Sequence, residues 1–419
     1  MNKNFKFILT LSGLITLFVA IIYFMFFYFN NLYSPNKTNL IDNKNFSNEP
    51  LLPILSGENE TENSNSLENT NPENNQGFES SIEKINSNLE NKTKEELLKD
   101  LKVLEIEKSP VSSFVTISKS TTSEAAIVYI KKDSGEIIKY QIKNKTKTSV
   151  SPGDENVVGE SFIKRDGSYA ALRRADKDGI YTQIVNLKND TKIKLEDNIK
   201  SMAFFERKDF IVYGLKEGDG FTLKTMNLKN KEIKDFAKLQ MTEWLLSVDG
   251  EDNVRALLKP TGTAEGLSFV INQATKKISL ETKPILGLDI KQIDSKRYSL
   301  MSSGGFEKNE LLMLDKKTNN IFSLSENTFL EKCAFEILKS GVVCVVPKKL
   351  DNGRLYPDDF YKGLVNGKDN IIYKSLNSST SLLLYSFKDS QISPINPSVS
   401  NNGIFFMDSK SLMLYSLES

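Results

Sequence analysis

The sequence predicts an all-β protein, and three observations carry that prediction. An apolar residue closing a strand ahead of a polar turn recurs at Ile142, Leu187, Leu228, Ile271, Leu314, Leu376 and Leu417, at steps of 45, 41, 43, 43, 62 and 41 residues. Within each period, short apolar runs are separated by turn signals such as Asp166-Gly167, Asp176-Lys177-Asp178-Gly179 and Asp249-Gly250. The last period stops one run short, while a spare alternating run, 101–106, precedes the first. A period in the low forties made of four short strands is a β-propeller blade. Seven anchors predict seven blades, with the N-terminal run supplying the missing outer strand and closing the ring. Closure removes the open edge that would otherwise pair with another chain.

Three segments follow in order. Residues 1–30 hold a short tail and a membrane anchor. Residues 8–29 carry no charge and are about long enough to span a hydrocarbon core. Lys3 and Lys6 precede the span, and Tyr23, Tyr28 and Tyr33 lie towards its far end, as an interfacial belt would. A cleaved signal peptide would have a shorter apolar run ending in a small-x-small site, and none is present. The expected topology is a single pass through the cell membrane, with the N-terminus cytoplasmic and the bulk extracytoplasmic. Lys37 and Lys44, beyond the span, weaken the charge bias behind that orientation. Residues 31–91 read as a disordered acidic linker. Between Tyr33 and Glu90 ten acidic residues face three lysines, and apolar content is too low to offset ordering entropy. Pro50-Leu51-Leu52-Pro53-Ile54-Leu55 interrupts this tether as a docking peptide or a plain sticky stretch. Thr93, Glu95, Glu96, Leu97, Leu98 and Leu101 suggest a short capped helix leading into the propeller, assigned to residues 92–419.

The blades are read strand by strand. The first is 113–117, 126–130, 137–142 and 146–150. The second is 160–163, 169–172, 181–187 and 192–195. The third is 202–205, 210–213, 221–228 and 232–236. The fourth is 244–248, 255–258, 268–271 and 277–280, and the fifth is 287–290, 298–301, 311–314 and 321–324. The sixth carries Cys333 and Cys344 on its first two strands, and the seventh supplies 404–407 and 412–417 as its second and third. Asp166-Gly167, Asp249-Gly250 and Asn402-Gly403 fall before second strands, and Asn186, Asn227 and Asp315 fall at the ends of third strands. In these features residues 102–419 resemble the WD40-like repeats of TolB-type propellers. The resemblance implies architecture and no functional residue. The Gly-His and Trp-Asp pairs of true WD40 repeats are missing. The whole chain also resembles the membrane-anchored propellers of reduced-genome bacteria.

Composition removes several chemistries. There is no histidine, which excludes histidine triads, ligands and pH switches. Two cysteines cannot form a cysteine-rich zinc cluster. Positive charge on the repeats is too dilute for a nucleic-acid stripe. Phosphate-loop and nucleophile-elbow motifs are absent. No cofactor or metal is expected. Asp358-Asp359 and the 176–179 turn lack the further oxygen ligands of a calcium loop.

The candidate sites lie in the long sixth period. Its extra residues, about 350–370, join strands two and three, on the face that also carries the blade-to-blade connections. Arg354, Tyr356, Asp358, Asp359, Phe360 and Tyr361 combine rigid aromatics with charge, a composition typical of binding hot spots. The same residues would also suit a flap packed over the channel mouth, and the two readings are compatible. Cys333 and Cys344 straddle a turn symmetrically, so their Cβ atoms can come within disulfide range. Trp244 is read as core between blades, and Arg173-Arg174 as a solvated strand face. The function that follows is a non-catalytic scaffold binding a protein or envelope glycan. An enzyme, lyase or hydrolase, would instead show Asp, Glu, Lys or Tyr from several inner strands converging on one pocket. A self-assembling structural protein would show a large apolar patch on a blade rim.

Overall fold

The computed structural model describes residues 101–418 except 118–124, 155, 178, 250–251, 293–296, 336–340, 366, 377–379, 388–391 and 401. The chain divides into two units, Met1–Ser56 and Gly57–Ser419, and every described residue lies in the second. The predicted anchor at 8–29, the linker and the capped helix fall outside the described residues. Among the described residues no helix is long and apolar enough to cross a membrane.

The second unit contains a seven-bladed β-propeller of seven four-stranded antiparallel sheets. Blade 1 is Val111–Ile117, Ala126–Lys131, Ile137–Gln141 and Thr146–Ser151, innermost strand first. Blade 2 is Val158–Ile163, Tyr169–Asp176, Gly179–Asn186 and Thr191–Lys194; blade 3 is Ile199–Phe204, Phe210–Glu217, Gly220–Asn227 and Ile233–Gln240. Blade 4 is Trp244–Val248, Val254–Leu258, Ser268–Ile271 and Ile278–Leu280; blade 5 is Asp289–Gln292, Tyr298–Gly305, Lys308–Asp315 and Asn320–Ser323. Blade 6 is Cys333–Ala334, Gly341–Pro347, Asp369–Ser375 and Ser381–Ser386. Blade 7 takes Pro394–Ser400, Gly403–Asp408 and Leu414–Glu418 from the C-terminus and Lys102–Glu107 from the N-terminal side. That last strand pairs Val103 with Leu417 and Glu105 with Tyr415, so the ring closes as the spare run predicts. Several second and third strands run longer than their apolar cores. In blades 2, 3 and 5 the hairpin ladder continues through polar residues to a tight turn, as in Glu217 opposite Gly220.

The core is divided among the interfaces between blades. Strand two of blade 1 reads Ala-Ile-Val-Tyr-Ile, buried throughout. Alternation sends Ile127 and Tyr129 to the blade 7 side, with Phe405 and Met407, and Val128 and Ile130 to blade 2, with Leu172. A continuous apolar run is therefore the signature of a strand buried on both faces. Among the described residues seven such clusters occur, one at each junction. Trp244 is buried between blades 3 and 4, tilted against Phe269, its indole N–H donating to the Gln240 carbonyl at 2.8 Å.

One reading is corrected. Arg174 is not on a solvated face: it is 2% exposed. Alternation turns it to the junction with blade 1, where its guanidinium donates to Asp154 and the Asn156 carbonyl. A Cβ at Gly135, which takes the left-handed conformation, would fall against the guanidinium where it now sits. Its neighbour Arg173 faces the other way and meets Glu160 at 3.0 Å.

Candidate functional site

The extra residues of blade 6, 348–368, join its second and third strands and form a flap over blades 5 and 4. The flap adds backbone bonds to the turn between the second and third strands of blade 5: Tyr356 N–H to the Gly305 carbonyl at 3.0 Å, and Glu307 N–H to the Arg354 carbonyl at 2.8 Å. Its tip hooks onto blade 4, where Asp358 accepts from the Thr261 hydroxyl at 3.0 Å and the Gly262 N–H at 2.6 Å. A Cβ at Gly262 or at Gly304 would collide with the Tyr356 carbonyl. Two blades thus give up a side chain to admit one peptide group.

Aromatic packing fixes the underside. Tyr356 is fully buried, and its hydroxyl donates back to the Asp351 carbonyl at 2.9 Å. Phe329, on the connection from blade 5 to blade 6, stacks on Phe360 with centroids 4.0 Å apart and tilts against Tyr356 at 5.7 Å. Asp359 stays within the flap, accepting from the Leu355 N–H at 3.0 Å and pairing with Lys362 at 3.5 Å. The Leu355 N–H, then the Lys362 charge, hold its carboxyl below the ordinary range. Of the six loop residues singled out in sequence, Tyr356, Asp358, Asp359 and Phe360 are therefore engaged in building the flap. Arg354 is half-buried beside blade 5.

Tyr361 has a different position. It ends the four-residue helical turn Asp358–Tyr361, and its ring remains 43% exposed. Its hydroxyl lies between Asp289, the first residue of blade 5's inner strand, at 3.4 Å and Glu331, in the 3-10 turn Leu330–Lys332 that enters blade 6. Burial, followed by the Glu331 charge, pushes the Asp289 carboxyl up to about 7, against the pull of the Ile290 N–H, Lys291 and Tyr361. Burial also pushes Glu331 up. Burial and both carboxylates push the Tyr361 phenol far above its usual value, so it keeps its proton. One hydroxyl hydrogen thus serves two carboxylates. Asp289, Glu331, Phe329 and the two glycines were not singled out in sequence. The Gly304-Gly305 pair late in a strand is the one signal that could have shown a close backbone approach.

Glu331 also lines the central channel, a cavity of about 600 Å³ walled by the inner strands of the blades. One side of the wall is hydroxyl-rich: Ser113 meets Ser161 at 2.6 Å, and Thr116 meets Ser398 at 2.6 Å. Arg165 and Glu206, 3.5 Å apart, lie on the turns after inner strands, on the side away from the flap. Among the described residues no group of three His, Cys, Asp or Glu could hold a metal ion. Ser393, Lys332 and Asp369 form a buried polar triad between blades 6 and 7, with Lys332 2.9 Å from Asp369. Burial lowers the Lys332 pKa there. All three are sealed from solvent, so they act as a latch between blades. Cys333 and Cys344 face each other across strands one and two of blade 6 and form a disulfide, two residues from Glu331.

No family model matches the chain, and no curated protein matches it in sequence. Solved structures resemble it in fold. An uncharacterised protein from Listeria monocytogenes aligns with a TM-score of 0.50 at 11% identity, over 76% of this chain and 97% of that one. An oligogalacturonate lyase from Vibrio parahaemolyticus aligns with a TM-score of 0.50 at 8% identity, over 76% and 93%. TolB from Acinetobacter baumannii aligns at 0.40 and 9% identity, and this chain spans 62% of its length. Likeness at these identities bears on the fold alone.

Proposed function

We propose that this chain is a membrane-anchored, extracytoplasmic propeller that binds a protein or envelope-glycan partner through its flap-bearing face, without catalysis. One observation carries the reading: the large insertion is braced on blades 5 and 4, and exposed apolar side chains lie on it and on the neighbouring part of blade 5. Phe306 is 65% exposed on the turn beneath the flap, and Leu286 and Leu364 are also exposed. Exposed large apolar residues on a braced surface favour recognition. The disulfide supports an oxidising compartment, in keeping with an anchor at residues 8–29 and the propeller outside the cytoplasm. The absence of a basic stripe argues against nucleic acid as partner.

The test is a pull-down with the full-length chain in detergent, from solubilised envelope and from isolated envelope glycan. Residues 354–361 replaced by Gly-Ser, and Phe306→Ser, serve as paired variants. A partner retained by the native chain and lost by both variants supports the face. Equal capture by all three would sink it.

A second reading, an enzyme, is favoured by the convergence of Asp289, Glu331, Tyr361 and Lys291 at the mouth. A carboxyl with a pKa near 7 suits general acid–base work. Turnover of an envelope-derived substrate, abolished by Asp289→Asn in a folded protein, would establish it.

A further inference from the structure

Several buried carboxylates in this propeller are paired with a cation of the chain, and Asp408 is met by the Ser393 and Ser411 N–H groups and the Ser411 hydroxyl. Glu281 takes a bidentate pair from Arg255 at 2.6 Å, Glu107 meets Lys147 at 2.9 Å, and Asp369 meets Lys332 at 2.9 Å. The pair at the mouth has neither a paired cation nor a full set of hydrogen-bond donors. Among the described residues no cation lies within 4.0 Å of Asp289 or Glu331. The nearest lysine on the same strand, Lys291, lies over the Phe335 ring at 5.2 Å. Lys332, adjacent to Glu331, turns away to Asp369, and Lys362 is taken by Asp359. Glu331 Oε2 is buried with no hydrogen-bond partner among the described residues. Two neighbouring carboxylates partly withdrawn from water are stabilised by a proton or a cation between them.

We propose that the channel mouth is a socket for one cationic side chain of a partner protein, a lysine or arginine held between Asp289 and Glu331. The proposal rests on the binding reading above and names the chemistry of the partner. Three observations favour a protein side chain. Charge complementarity requires a cation. The face that carries the flap also exposes Phe306, Leu286, Leu364 and the Tyr361 ring, apolar surface that suits the residues flanking a basic side chain. Two carboxylates are too few oxygen ligands for a calcium ion. The charged and titratable groups facing the mouth are Asp289 and Lys291 on blade 5, Glu331 on the entry turn and Tyr361 on the flap. The inner strand of blade 7, packed on that turn, has no titratable side chain. A cation entering the mouth favours ionisation of both carboxylates, so Asp289, raised to about 7 in the empty mouth, gives up its proton to solvent. Binding therefore strengthens as pH rises and releases a proton in mildly acid buffer.

The test uses full-length protein in detergent and two capped tripeptides, Phe-Lys-Leu and Phe-norleucine-Leu, which differ by one charge. Calorimetry in buffers of different ionisation heat counts the protons. The lysine peptide is expected to bind about tenfold more tightly or better, as a charge-assisted contact would. It should release a proton at pH 6 and tighten between pH 5.5 and 8. Asp289→Asn with Glu331→Gln, near-isosteric, should make the two peptides equal; Asp289→Asn alone should halve the effect if the double variant folds poorly. Tyr361→Phe should keep the lysine preference. Equal binding of both peptides to the native chain, a preference that survives the double variant, or no binding at all overturns the socket. If both peptides bind equally and both are lost with the 354–361 replacement, the binding face stands while the socket falls.

Discussion

At the scale of single residues, two carboxyls set opposite responses to pH. Burial pushes Glu107 up, but Lys147, Tyr129 and the Ser109 N–H outweigh it and hold it at about 2. Its contribution to stability is present above the ordinary carboxylate range and is lost as pH falls towards 2. Asp289 is raised to about 7, so between pH 4 and 7 the native state binds more protons than the unfolded state. Stability then falls as pH rises through that window and is flat above it. Thermal melts of the native chain should therefore decline from pH 5 to pH 8, and Asp289→Asn should flatten that decline. An unchanged slope in the variant would remove Asp289 as its source. Glu107 lies within the strand that closes the ring, so its pairing could be anticipated from sequence only as part of a closure. Asp289 reads in sequence as one acid on an apolar strand, and its pKa depends on a turn some 40 residues on and a flap some 70 residues on.

At the scale of elements, the repeat is legible because one local device recurs. Asn186, Asn227 and Asp315 end third strands and Asn272 directly follows one, and each side chain accepts the N–H two residues on, at 2.9, 2.8, 2.9 and 3.1 Å for Asn186, Asn227, Asp315 and Asn272. Four residues after each, Asp190, Lys231, Lys276 and Asn319 take the left-handed conformation that closes the turn. These contacts lie within five residues, so composition shows them. The flap has no such local code, because its partners are Gly262, Gly304 and Phe329 on other blades. Gly304→Ala should push the flap off blade 5 while leaving the blade folded. The expected outcome is faster amide exchange at Tyr356 and Glu307, with exchange in blade 1 unchanged. Native protection at Tyr356 in that variant would show that the close approach is not required. Asp358→Ala, which leaves the Gly262 N–H without its acceptor, should cost about 1–2 kcal/mol.

At the scale of the whole propeller, stability comes from seven inter-blade clusters linked in a ring. The strand Lys102–Glu107 completes blade 7 and places Ile106 in the cluster shared with blade 1. A chain starting at residue 101 keeps the closing strand and should not self-associate through that edge. One starting at 109 should expose the edge of Leu414–Glu418 and self-associate or melt at lower temperature. Light scattering and thermal melts of the two chains decide this, and identical behaviour would refute closure as a source of stability. The sequence by itself determined the all-β class, the seven blades, the closing strand, the position of the insertion and the facing cysteines. Each of those follows from strand period, turn residues and length, which act over a few residues at a time. Only the tertiary structure decided that the insertion lies over blades 5 and 4, that four of its six marked residues are engaged in building it, and that Asp289 and Glu331 meet without a cation. Those features join residues from different blades, and their energies depend on burial and proximity that exist only once the ring has closed.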